Sequence, residues 1–187
     1  IWAETGFNAI NLGTTGVEGY WTAPLNHTTP EPILLHRILS EAKSAGVTHV
    51  AMEASSHGLD QKRLEGVPVQ VAGFTTFSQD HLDYHGTFER YFTAKLNLFS
   101  RVLSQDGTAV INIDDPKGSE LKQLCLNQNQ KVISVGHTAS DLQLLGQRFY
   151  AAGQEILFSW KGQTHQIKVP LVGGFQGENL MNATADR

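Results

Sequence analysis

Between Asn8 and Asp115, short apolar runs alternate with segments of helical period, the pattern of a parallel sheet whose strands are joined by crossover helices. Ala9 to Leu12 reads as a buried strand. Thr28-Thr29-Pro30-Glu31 then offers a capping hydroxyl, a first-turn proline and an acid near a helix dipole. The helix that follows carries Ile33, Leu34, Ile38, Leu39 and Ala42 on its apolar face and ends at Gly46. Val47 to Met52 is the next buried strand, Leu59 to Leu64 a short helix and Val67 to Phe74 a strand. Thr87 caps a helix to Phe99, and Thr108 to Ile113 is another strand. A helix near Ser119 to Leu126 and a strand at Val132 to Val135 complete this part. The period then changes to two: Gln143 to Tyr150, Glu155 to Trp160 and Gln166 to Val169 alternate between turn signals, as antiparallel strands do. Gly173-Gly174 leads into a final helix from about Gln176. The fold class is α/β, a mainly parallel sheet with crossover helices plus a small antiparallel meander, and the chain contains no internal repeat.

Length and composition narrow the function. The chain has 187 residues, enough for one domain with a substantial core. With 40% hydrophobic and 17% charged residues it has the balance of a soluble globular protein. A net charge of −4 without any Lys/Arg cluster argues against a nucleic-acid surface, which needs basic groups to displace counterions. Cys125 is the only cysteine, so no internal disulfide or multi-cysteine zinc site exists. No apolar run approaches the roughly 18 residues of a membrane span, and no basic region precedes an apolar leader. A cytoplasmic location without membrane contact is expected. Both ends interrupt structural patterns, so the chain is expected to be a fragment.

In open parallel sheets ligands bind beyond the carboxyl ends of the strands. Four polar clusters sit at such ends: Gly13-Thr14-Thr15-Gly16, Glu53 to His57, Ser78 to His81, and Asn112 to Asp115. They are expected to face one crevice. Asp80-His81-Leu82-Asp83-Tyr84-His85 concentrates imidazole and carboxylate groups that suit a divalent ion, although the same residue types also cap turns. Glu53 ends a strand expected to be buried on both faces, where an ionised carboxylate needs a cation or donors.

Lys95 stands on the aromatic stripe Phe88, Tyr91, Phe92, Phe99 of its helix. There it is either a snorkelling side chain or a desolvated amine open to modification or phosphate contact. No complete phosphate-binding motif is present: Gly13-Thr14-Thr15-Gly16 lacks a Gly-Lys-Ser/Thr end, and no Gly-x-Gly-x-x-Gly follows a strand.

The succession His27-Thr28-Thr29-Pro30-Glu31, then Met52-Glu53-Ala54-Ser55-Ser56-His57-Gly58-Leu59, then Asp80 to Gly86 and Ala94-Lys95 resembles the central domain of the Mur ligases. Among these it is most similar to the UDP-N-acetylmuramoyl-tripeptide synthetases. The resemblance spans nearly the whole chain and implies a nucleotide-triphosphatase-like fold and an ATP-driven acylation. A substrate carboxylate takes the γ-phosphoryl group, and an amine then displaces phosphate. It implies magnesium at Glu53 and His81, and a carbon dioxide-derived carbamate on Lys95 near a second magnesium. It implies that Thr28, Thr29, Ser55, Gln61 and Arg63 hold a UDP-N-acetylmuramoyl-dipeptide, and that Gln176 and Asn179 contact the nucleotide. Gln176 replaces the more usual Asn. The incoming amino acid is meso-diaminopimelate or L-lysine, with diaminopimelate the commoner choice. His57, Asp83 and His85 are expected to fix loops at least as much as to take part in chemistry.

The family's phosphate loop, UDP-binding domain and C-terminal domain are not represented in these residues, so the fragment is expected to be inactive alone. Two alternatives remain open from sequence: a non-catalytic Mur-ligase-like binding module, and a metal-dependent hydrolase centred on Asp80 to His85. Oligomeric state is not legible.

Overall fold

The structure is a computed structural model that describes residues 1–78 and 82–185. It divides into two compact units, one formed by Ile1–Pro68 and Asp80–Val102, the other by Val69–Gln79 and Leu103–Arg187.

The first unit is built on a three-stranded sheet of order β2-β1-β3, from β1 (Ala9–Gly13), β2 (Gly16–Gly19) and β3 (His49–Met52). β1 runs antiparallel to β2 and parallel to β3. β2 was not expected. Gly13 pairs with Gly16, leaving Thr14 and Thr15 as a two-residue hairpin loop, so this polar segment is first of all a tight turn.

Helix α1 (Pro32–Ser44) lays Leu35, Ile38 and Ala42 against Ile10, Leu12 and Val17, and Leu59 and Leu64 close the same core. Leu35 and Leu12 are completely buried, each worth ~1.5–3 kcal/mol of apolar transfer. Ile33, expected on this face, is 87% exposed. The helix also starts later than expected: Pro32 occupies the first turn, and the cap is Glu31, whose side chain makes no capping hydrogen bond. Thr29 cannot cap it because its hydroxyl is engaged with two backbone groups elsewhere.

The unit also contains a 3-10 turn at Ala3–Thr5 and the helices α2 (Ser56–Asp60), α3 (Leu82–His85) and α4 (Phe88–Asn97), the last followed by a π-helical turn at Leu98–Val102. Thr87 caps α4 as expected, its hydroxyl accepting from the Arg90 N–H.

The second unit holds a six-stranded sheet in simple order: β4 (Val69–Phe74), β5 (Leu103–Asn112), β6 (Lys131–Gly136), β7 (Leu142–Tyr150), β8 (Gly153–Trp160) and β9 (Gln163–Val169). β4 to β7 are parallel neighbours, and β7, β8 and β9 form the antiparallel meander. The meander thus continues the parallel ladder through β7. One parallel sheet was expected to carry all four polar strand ends; the ladders instead place β1 and β3 in one sheet and β4 and β5 in another.

Helix α5 (Pro116–Asn127) is capped by Asp115, whose carboxylate accepts from the Lys117 and Phe77 N–H groups. It approaches β5 so closely that a Cβ on Gly118 would collide with the Asn112 carbonyl. Helix α6 (Phe175–Thr184) buries Met181 beside Val110, Val135, Leu142, Leu144 and Ile156. Among the described residues, no helix is long and apolar enough to cross a membrane.

Candidate functional site

Of the described candidate residues of the first unit, Thr29, Glu53 and Ser55 meet where β3 ends and α2 begins. Thr29 is 1% exposed. Its hydroxyl donates to the Glu53 carbonyl at 2.9 Å and accepts the Ser55 N–H at 3.0 Å, tying the segment before α1 to both sides of this junction. Ser55 caps α2, its hydroxyl accepting from the Gly58 N–H at 3.1 Å. Gly58 is required by contact: a Cβ there would lie 2.7 Å from the Thr29 methyl carbon and 3.0 Å from the Ser55 hydroxyl. The Thr28 hydroxyl lies 3.1 Å from that of Thr14, so the hairpin loop reaches the same group of residues.

The end of α2 sets the next two candidates. The Lys62 N–H bonds the Leu59 carbonyl and the Arg63 N–H bonds the Gly58 carbonyl, with Lys62 in the left-handed region at φ 59°. These are the two hydrogen bonds of a Schellman motif, with lysine where glycine is usual. The reversal lets residues two apart meet: Arg63 donates through Nε and Nη2 to Gln61 Oε1. Arg63 Nη1 donates to the Thr29 carbonyl at 2.9 Å, and Nη2 lies 2.8 Å from Glu31 Oε1. Thr29, Ser55, Gln61 and Arg63 therefore form one connected group. Sequence reasoning missed Thr14, Glu31, Asp60 and Tyr84 around it. Glu31, Thr14 and Tyr84 stood inside motifs without being singled out, and Asp60 carried no local signal.

Lys95 lies on α4, half-buried, on a stripe whose Tyr91, Phe92 and Phe99 are buried, as its helical spacing requires. Its Nζ donates to the Ala54 carbonyl at 3.4 Å, which brings the ammonium to the end of β3, next in the chain to Glu53. Glu53 itself departs from expectation. β3 is an edge strand of its sheet, and Glu53 is exposed rather than buried between two faces. Its exposure removes the burial cost that made a cation or donors necessary.

His81 and Asp80 lie outside the described residues. Asp83 is exposed, whereas His85 is 6% exposed and packs edge-on to the Tyr84 ring at 4.8 Å and beside that of Tyr91 at 5.3 Å. The His57 ring packs at a tilt against that of Tyr84, with centroids 4.0 Å apart. These histidines hold a ring cluster together, in keeping with a loop-fixing role. Among the described residues, no group of three or more His, Cys, Asp or Glu side chains is arranged to hold a metal ion.

In the second unit, the cluster after β5 serves its own folding. Asn112 accepts from the Asp114 N–H, and Asp114 accepts from the N–H groups of His137 and Thr138 and from the Thr138 hydroxyl. Partial burial pushes the Asp114 carboxyl up, but these donors and the His137 charge outweigh it, leaving its pKa below the ordinary value. Gln176 and Asn179 stand on the first turns of α6, Gln176 half-buried and Asn179 exposed. The Gly173-Gly174 entry to that helix is pinned by buried Gln154, which donates to the Leu171 and Gly173 carbonyls, and by Gln147, which donates to that of Gly174.

The profile of the family described as the Mur ligase middle domain matches residues 2–185. The chain belongs to the Mur ligase middle-domain family. A UDP-N-acetylmuramoyl-L-alanyl-D-glutamate--2,6-diaminopimelate ligase of Zymomonas mobilis is 41% identical over 184 residues, covering 98% of this chain and 38% of that protein. The ligase of the same name from Caulobacter vibrioides is 38% identical, over 98% of this chain and 39% of its own length. A solved structure of a diaminopimelate ligase of that name superposes with a TM-score of 0.85 at 30% identity, over 98% of this chain and 38% of that one. A MurF ligase of Thermotoga maritima, solved in complex with ADP, shares the fold at a TM-score of 0.69 and 17% identity, over 97% of this chain and 39% of its own. This Mur ligase middle domain thus spans well under half the length of these relatives.

Proposed function

We propose that the chain is the ATP-binding middle part of a cytoplasmic ligase that adds meso-diaminopimelate to UDP-N-acetylmuramoyl-L-alanyl-D-glutamate in peptidoglycan synthesis. The single observation that carries this reading is the 41% identity, over 98% of the chain, to a ligase named for that reaction. The phosphate loop, the UDP-binding domain and the domain that selects the amino acid are assigned to the remainder of the longer protein, and residues 1–187 alone are expected to be inactive.

In this reading the dipeptide carboxylate attacks the γ-phosphorus of ATP, ADP leaves, and the amine of diaminopimelate attacks the acyl carbon to expel phosphate. The barrier is mainly positional and electrostatic. Arg63 and Gln61 are suited to hold a carboxylate-bearing substrate, since a guanidinium fixed by three neighbouring acceptors presents its one remaining N–H, on Nη1, in a defined plane. Thr28 and Ser55 add hydroxyls to the same group, and Thr29 fixes the backbone around them. Gln176 and Asn179 are assigned to the nucleotide.

The residues fit magnesium by donor chemistry: it binds through one or two carboxylates together with phosphate oxygens and water, and Glu53 is an exposed carboxylate at a strand end. Glu53, with His81, would hold the ion, which neutralises charge on the transferring phosphoryl group when bound. Lys95 reaches the same strand end, where a carbamate on Nζ would replace a cation by an anion.

The test uses the full-length protein with ATP, magnesium and the dipeptide nucleotide, supplied separately with meso-diaminopimelate or L-lysine. ADP release that requires the dipeptide and is faster with diaminopimelate is the expected result. ADP release independent of the dipeptide, or preference for lysine, overturns the reaction or the choice of amine respectively.

A further inference from the structure

The Gln61 carboxamide is held between a cation and a phenol. Arg63 Nε and Nη2 both donate to Gln61 Oε1, at 3.0 and 2.6 Å. This fixes the amide orientation, because the flipped amide would set its NH2 against two guanidinium donors. Nε2 therefore faces Tyr84 and donates to its hydroxyl at 3.2 Å. The Tyr84 hydroxyl in turn donates to Asp60 Oδ2 at 3.0 Å. Arg63, Gln61, Tyr84 and Asp60 thus form a one-way chain of donors, with a cation at its start and a carboxylate at its end.

The Tyr84 ring is placed independently of this chain. It packs at a tilt against His57, ring centroids 4.0 Å apart, and meets His85 edge-on at 4.8 Å, so the hydroxyl is delivered to a defined point. Gln61 is exposed and has three rotatable bonds, so without a fixed partner it would lose that freedom only when substrate arrives.

We propose that Tyr84 and Asp60 are positioning residues for the muramoyl-dipeptide nucleotide, acting through Gln61 and Arg63. This rests on the reading above that Gln61 and Arg63 bind that substrate. Asp60 orients the Tyr84 hydroxyl, the hydroxyl holds Gln61 Nε2, and Gln61 Oε1 steadies the guanidinium. The carboxamide and guanidinium are thereby set before the substrate carboxylate binds.

The experiment is steady-state kinetics of the full-length protein. Tyr84→Phe keeps the ring and removes only the hydroxyl. It should raise KM for the dipeptide nucleotide roughly three- to tenfold, the range of one lost hydrogen bond, with kcat and the KM for ATP changed less than about twofold. Asp60→Ala should behave likewise, while Asp60→Asn, which keeps an acceptor for the hydroxyl, should stay near the parent. In a Gln61→Ala background, Tyr84→Phe should add nothing, because its route to the substrate is already cut. Arg63→Ala separates the two levels of inference. If it raises the dipeptide KM while Tyr84→Phe does not, the relay alone is overturned. If Arg63→Ala leaves that KM unchanged, the substrate-binding reading falls and the relay with it. Equal losses in kcat and in the KM for every substrate would also overturn it, by making Tyr84 a general structural residue.

Discussion

The Thr29 hydroxyl donates to the Glu53 carbonyl at 2.9 Å and accepts the Ser55 N–H at 3.0 Å, so one buried side chain fixes the turn from β3 into α2. The backbone that presents Glu53 is therefore held from a segment 24 residues earlier in the chain. Thr29→Val keeps the shape and removes the oxygen. Both backbone groups then lose their partner, at a cost of ~1–3 kcal/mol. Thermal unfolding should show the melting temperature falling by several degrees, and an unchanged value would mean that water replaces the hydroxyl.

Lys62 closes the Schellman motif in a left-handed conformation that costs an L-residue roughly 1–2 kcal/mol. A β-branched side chain tolerates that region worst. Lys62→Val should lower the urea midpoint, while Lys62→Gly should hold or raise it. The opposite order would show that the turn is maintained by the lysine side chain instead of by its backbone.

Asp114 gives a pH dependence of defined sign. Partial burial disfavours its charge, but the His137 and Thr138 donors more than reverse this and leave the folded pKa below 3.8. The unfolded chain then binds the proton more readily than the folded one, so the stabilisation is present above the ordinary carboxylate value and is lost as pH falls through the folded value. In melting curves of parent and Asp114→Asn, the gap should be constant above about pH 5 and narrow below pH 4. A gap independent of pH contradicts this account.

Local signals carried most of the secondary structure. The Thr87 cap and the stripe of Phe88, Tyr91, Phe92 and Lys95 lie within one helix, so their spacing alone put Lys95 on its aromatic face, whereas Phe99 falls in the π-helical turn that follows. The β2 hairpin was missed because Thr14-Thr15 has none of the usual hairpin turn residues, and the division into two sheets because a strand's sequence does not say which strand it pairs with. Ile33 fits the helical period as well as Leu34 does, yet it faces solvent, since periodicity does not fix the edge of the buried arc. At the candidate site, Gln61 and Arg63 were named only through the resemblance to the family. The bonds from Gln61 to Tyr84 and from Tyr84 to Asp60 join residues 23 and 24 positions apart, a pairing that no local pattern encodes.

The central claim is that this Mur ligase middle domain serves an amide synthesis that passes through an acyl phosphate. It is tested most directly by labelling the dipeptide's reacting carboxylate with oxygen-18 and analysing the products formed by the full-length protein with ATP and diaminopimelate. The account predicts a tripeptide nucleotide and inorganic phosphate carrying one labelled oxygen per amide formed. Tripeptide formed with unlabelled phosphate, or ATP hydrolysis without tripeptide, would contradict it.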